Sequence, residues 1–85
     1  MAKQQMVGII SRHIGECNSL MSSTVKSLDA IIINLEDEKC LSGIPENMSK
    51  QEIINDLTAW YGEDFSGLSK VSKNCLDKLY NFFRV

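Results

Sequence analysis

The sequence predicts an all-α fold, a long N-terminal helix with two shorter helices folded back along it as a small helical bundle. Three observations predict it. Apolar residues recur at steps of three and four through the first 35 positions, a complete helix-start signal stands at Ser49, and proline occurs once, at Pro45, in 85 residues. No stretch alternates apolar and polar residues as a half-buried strand would.

The first helix is expected over about residues 4–36. Its seam is Val7, Ile10, Ile14, Cys17, Met21, Thr24, Leu28, Ile31 and Leu35, and all but Thr24 are apolar. Three-four spacing puts these side chains on one face of a helix. At about 1.5 Å per residue a continuous helix of this length would run roughly 48 Å. Ser19, Ser22, Ser23 and Thr24 are the one interruption. Their short hydroxyl side chains can cap a new helix instead of continuing the old one. Met6, Ile9, Leu20, Val25 and Ile32 widen the apolar arc, and the flanking positions hold almost no opposed charges, which argues against a free-standing two-stranded coil.

Residues 37–48 read as a loop broken by Gly43 and Pro45. A second helix is expected over 50–61. Ser49 is its N-cap, Glu52 completes a capping box, and Met48 with Ile53 are placed to staple the entry. It should bury Ile53, Ile54, Leu57, Trp60 and Tyr61, and end at Gly62, where a left-handed backbone is easiest to supply. A third helix is expected over 67–84, capped by Ser66 or Asp64, with Leu68, Val71, Cys75, Leu79 and one of Phe82 and Phe83 facing inward. The whole chain reads as one domain, 1–85.

Charge is unevenly spread. Residues 1–35 carry +1, residues 36–64 carry −6 and residues 65–85 carry +3, for a net −2. An acidic middle repels nucleic acid, and four cations near the C-terminus are too sparse to track a phosphate backbone. The most apolar run, Ala30–Ile33, is too short to cross a bilayer. The N-terminus lacks the apolar core of a secretory signal. Three scattered cysteines, Cys17, Cys40 and Cys75, read as free thiols of a reducing compartment, so a cytoplasmic protein is expected.

Chemistry-bearing constellations are sparse. His13 and Cys17 lie four apart, a spacing zinc can use, but two further ligands are required and the bland alternative is a core cysteine beside a boundary histidine. His13 is the only histidine, and no nucleophile, base and orienting group converge on it in sequence. The acidic pairs Asp37/Glu38 and Glu63/Asp64 sit in expected loops and read as solvated charge. No catalytic residue, cofactor or metal is expected, and the chain is read as a non-enzyme.

Binding is the reading that remains. Trp60-Tyr61 and Phe82-Phe83 each point about 100° apart on a helix, so one of each pair can be exposed. An exposed aromatic beside acids is a protein-docking anchor. The candidate partner-binding residues are therefore Asp56, Trp60, Tyr61, Glu63, Asp64 and Phe83. A homodimer is also expected, through Val7, Ile10, Ile14, Met21 and Leu28, because two short helices bring too little apolar surface to cover the first.

The run Ser49-Lys50-Gln51-Glu52-Ile53-Ile54-Asn55-Asp56-Leu57-Thr58-Ala59-Trp60, followed by a short acidic link and a final helix ending in aromatics, resembles a set of small helical regulators of enteric bacteria. These are the biofilm-dependent modulation protein and the related biofilm-development and two-component-system connector proteins. The resemblance spans about 35 of the 85 residues, and the first 35 lie outside it. It implies an all-α dimer that acts by touching signalling proteins. Three functions stay open: a regulatory adaptor, an immunity or phage-type inhibitor with an acidic binding surface, and a secretion chaperone or assembly partner.

Overall fold

The computed structural model describes all 85 residues, and two-thirds of them are helical. Four α-helices form two hairpins: α1 (Lys3–Ile14) packs on α2 (Val25–Asn34), and α3 (Lys50–Tyr61) packs on α4 (Lys73–Phe82). Short 3-10 turns occupy Asn18–Ser22, Pro45–Asn47 and Ser66–Lys70. There is no sheet, only a single parallel bridge between Leu41 and Arg84.

The long first helix is corrected. The molecule is 31 Å in its longest dimension, so a 48 Å rod has no room. The chain leaves α1 at Gly15, whose φ of 99° is open to glycine and strained for other residues, and the Gly15 N–H donates to the Ser11 carbonyl. It re-enters helix at Thr24, whose Oγ1 accepts the Ser27 N–H at 3.2 Å. The hydroxyl cluster thus caps a new helix, and the apolar periodicity survives the break because both helices bury the seam against the same core.

α3 begins and ends as expected. Ser49 Oγ accepts the Glu52 N–H at 3.1 Å, Glu52 Oε1 accepts the Ser49 N–H at 2.9 Å, and Gly62 closes the helix at φ 69°. The last helix starts later than expected. Ser72 Oγ accepts the Cys75 N–H at 3.3 Å and caps α4, while Asp64 Oδ1 accepts from Ser66 N–H at 3.0 Å and opens the 3-10 turn before it.

One cluster of 21 buried apolar side chains unites both hairpins. They approach closely at Gly67, where a Cβ would collide with the Thr24 and Ser27 side-chain oxygens.

The free-thiol reading is corrected as well. Cys17 and Cys75 form a disulfide with their Cα atoms 5.6 Å apart, and Cys40 alone is free. The break at Gly15 is the physical reason. It takes Cys17 off the helix into an irregular segment that meets the first turn of α4. With that pair bridged, cysteine usage no longer supports a reducing compartment. No helix is long and apolar enough to cross a membrane.

Candidate interaction surface

Of the six aromatic side chains, Phe65 and Tyr80 are buried separately, three form a ladder with His13, and one stands outside. Tyr61 packs on Phe83 (ring centroids 4.9 Å), Phe83 meets Phe82 edge-on (5.2 Å), and Phe82 meets the His13 ring edge-on (5.8 Å). Lys39 Nζ lies 4.3 Å over the Phe82 ring. The ladder ties the ends of α3, α4 and α1 together. Trp60, the only tryptophan, takes no part in it and is 60% exposed, which reverses the expectation that α3 buries it.

Phe83 is corrected as a docking residue, because it is fully buried at the centre of that ladder. Its partner in the pair, Phe82, is half-buried. Tyr61 is half-buried too, and its hydroxyl donates to the Glu38 carbonyl at 3.4 Å. Burial, reinforced by neighbouring Cys40, pushes its phenol well above the ordinary range. Tyr61 serves the fold more than a partner.

Asp56 also has an internal task. Its Oδ2 accepts the Tyr80 hydroxyl at 2.9 Å, and that hydroxyl accepts the Gly43 N–H at 3.0 Å, anchoring the 37–48 loop to both helices of the C-terminal hairpin. Burial, with Asp56 beside it, raises the Tyr80 phenol. Asp64 is exposed and held by Ser66, whose hydroxyl donates to it at 2.6 Å, with Lys26 3.6 Å away. Bonds from the Ser66 side chain and backbone lower its carboxyl, as bonds from Ser49 lower that of Glu52.

One face of α3 is largely open to solvent. Glu52 and Trp60 are exposed on it with Asn55 and Ala59 alongside, and Asp56, four residues from each, is half-buried by its bond to Tyr80. Glu63 follows in the turn after Gly62, half-buried. The exposed acids Glu36, Asp37 and Glu38 close the end of α2.

The expected dimer seam is corrected in its central part. Ile10 and Leu28 are fully buried and Val7 nearly so within one chain, because α1 and α2 fold on each other and need no second copy to cover them. Ile14 is half-buried, and Met21 is 45% exposed. The apolar residues left on α2 are Val25 and Ile33, both about half exposed. Val25 belongs to the wider apolar arc expected of the first helix, whereas Ile33 lies off that arc.

No three histidine, cysteine or acidic side chains converge as metal ligands, and Cys17, the partner His13 would have needed, is in the disulfide. His13 Nδ1 instead lies 3.0 Å from the Ile9 carbonyl of its own helix. The one surface depression, about 630 Å³, runs along the outer side of α1 and is lined by Gln4, Gln5, Gly8, Ile9 and Arg12 with the first two residues of the chain. No protein family, curated protein or solved structure matches the chain.

Proposed function

We propose that the chain is a non-enzymatic regulatory or adaptor protein that acts by binding another protein through the Trp60 end of α3. The observation that carries this reading is Trp60 itself. A single tryptophan stands mostly in solvent on a helix whose neighbouring aromatics are all packed, and tryptophan is the residue most enriched among the anchors of protein interfaces. Burying it on a partner would remove a large apolar area from water, at about 25 cal/mol per Å². Glu63 and Asp64, in the turn that follows α3, would steer a basic counterpart and set orientation more than affinity. The resemblance of Ser49–Trp60 to the helical regulators of enteric bacteria points the same way.

A second reading, an inhibitor or immunity protein that covers a basic surface, draws support from the exposed acids Glu36, Asp37 and Glu38 together with those of α3.

The test is comparative affinity capture from the native host. Wild-type chain should retain a protein that Trp60→Ala loses, while a triple Glu36→Gln, Asp37→Asn, Glu38→Gln variant still retains it. Loss only with the acidic triple would favour the inhibitor. Identical captures for all three chains would overturn the α3 surface. Sedimentation equilibrium of the same samples separates a second copy from a different partner.

A further inference from the structure

The two hairpins meet where residues 15–24 lie against 63–72, where α2 touches the Ser66–Lys70 turn, and where α1 touches α4. Few bonds cross this junction. Ser19 Oγ accepts the Ser72 N–H at 3.1 Å and donates to Ser72 Oγ at 3.1 Å. Ser27 Oγ donates to the Asp64 carbonyl at 3.1 Å and accepts the Gly67 N–H at 2.9 Å. Lys78 Nζ donates to the Glu16 carbonyl at 3.2 Å. The one covalent tie is Cys17–Cys75, spanning 58 residues of sequence. Cys17 sits in the strip that joins α1 to α2, and Cys75 in the first turn of α4.

We propose that Cys17–Cys75 is a redox latch on this junction, closed by exchange with a disulfide-bearing oxidant while the hairpins are apart and shielded from reductant once they dock. Position gives the two sulfurs different roles. Cys75, in the first turn of α4, is the sulfur that meets the oxidant first, as its thiolate. That thiolate attacks one sulfur of the incoming disulfide, forming a mixed disulfide and releasing one oxidant sulfur as thiolate. Cys17 thiolate then attacks the Cys75 sulfur, forms the internal bridge and expels the second oxidant sulfur. Two protein thiols lose two electrons and two protons, and the oxidant takes up both as two thiols.

Docking then changes access. Cys17 is 2% and Cys75 6% exposed, so an external thiolate has no line of attack while the junction is closed. Reduction must wait for local opening. The latch therefore records whether the chain folded in oxidising surroundings and holds that record. It does not rest on the binding function proposed above.

The experiment uses the full chain carrying Cys40→Ser, so that no third thiol can shuffle the bridge. Reduced protein is mixed with oxidised glutathione and followed by mass spectrometry. The expected product is lighter than the reduced chain by two hydrogens and carries no glutathione. A glutathione adduct that persists, or two thiols that stay alkylatable, overturns the proposal. The closed protein is next given dithiothreitol with and without urea. Reduction in the native state should be at least about tenfold slower than in the unfolded chain, and equal rates overturn the shielding. Hydrogen exchange is then compared between closed and reduced protein. Reduction should speed exchange in 15–24 and 63–72 and leave 50–61 protected, with melting lower by on the order of 10 °C or more. Unchanged exchange at the junction, or loss of protection everywhere, overturns a latch local to it. Reducing the chain in place needs no cysteine-free variant of the bridge, so a folding failure of Cys17→Ser/Cys75→Ser does not enter the test.

Discussion

The N-terminal hairpin and the C-terminal hairpin are held by different forces. Between residues 1 and 35 no two side chains hydrogen-bond or pair as ions with each other, and the side-chain bonds to backbone there are local. Among them, Gln5 Oε1 accepts the Ala2 N–H at 3.0 Å, Thr24 Oγ1 accepts the Ser27 N–H at 3.2 Å, and Asn34 Nδ2 donates to the Ala30 carbonyl at 2.7 Å. The C-terminal half carries the Ser49/Glu52 box, the Tyr80–Asp56 bond, and Lys73, which donates to Asp77 and to the Pro45 carbonyl, both at 2.6 Å. Hydrophobic burial is non-directional, whereas hydrogen bonds fix distance and angle. The C-terminal hairpin therefore specifies its own geometry, and the N-terminal hairpin takes much of its geometry from the junction it shares with the other half.

The sharpest way to break this contrast is to remove a large side chain from the better-specified half. Phe83→Ala should destabilise by about 3–5 kcal/mol, the range for a fully buried aromatic, because Tyr61 and Phe82 would both lose their central neighbour. Urea denaturation measures it. A loss under about 1 kcal/mol would mean that the ladder can close over the gap and does not organise the helix ends.

Cap deletions come next and compare the halves directly. Ser49→Ala and Thr24→Ala should each cost on the order of 1 kcal/mol, or roughly 4–8 °C in melting temperature for a domain of this size. The Thr24 result decides more. In an unbroken first helix, alanine at position 24 would be neutral or stabilising, since alanine is the best helix former. A rise in melting temperature for Thr24→Ala would restore the single long helix.

That experiment also marks where the sequence was legible. α3 could be bounded to the residue because its signals are local: a cap, a box and a terminal glycine within 14 positions. The break after α1 is marked only by the hydroxyl-rich run Ser19–Thr24, while the three-four apolar spacing continues through Cys17 and Met21 as though the helix did. Burial on a common core preserves periodicity across a kink, so the pattern reported which residues are inside and not which neighbours they meet. Ile10 and Leu28 were thus correctly read as apolar seam and wrongly given to a second copy. The disulfide was illegible for the same reason, because pairing of Cys17 with Cys75 depends on where the chain turns. Of the candidate surface, Trp60 and its acids were named from sequence, but whether Trp60 or Phe83 faces water depends on which side of each helix the ladder occupies.

Acid should affect the two hairpins unequally. Glu52 and Asp64 have native carboxyls below their ordinary values of 4.5 and 3.8. A depressed carboxyl contributes stability that is complete above its unfolded value and is lost as pH falls through the lower native one. Melting temperature should therefore be flat above about pH 5 and decline below about pH 4, and Glu52→Gln should flatten part of that decline. Hydrogen exchange during the decline should rise first at 49–53 and 63–67, where those caps sit, and later in α1. Earlier loss in α1 would reverse the order of the halves.

The smallest expected effect on stability is at Trp60, and its smallness is what gives it meaning. A side chain 60% exposed and outside the aromatic ladder contributes little to the core, so Trp60→Ala should change stability by no more than about 0.5 kcal/mol. The same face of α3 has every local reason to be well formed, with a cap at one end and Gly62 at the other. Trp60 is thus a large apolar group held in place by a helix that does not need it. Because it is the only tryptophan, its fluorescence reports on that one site. Emission of the free protein should be red-shifted and readily quenched by acrylamide, and should shift to the blue when the captured partner is added. A blue emission that resists quenching in the free protein, or a loss above about 2 kcal/mol on Trp60→Ala, would place the ring in the core and remove the anchor from the surface.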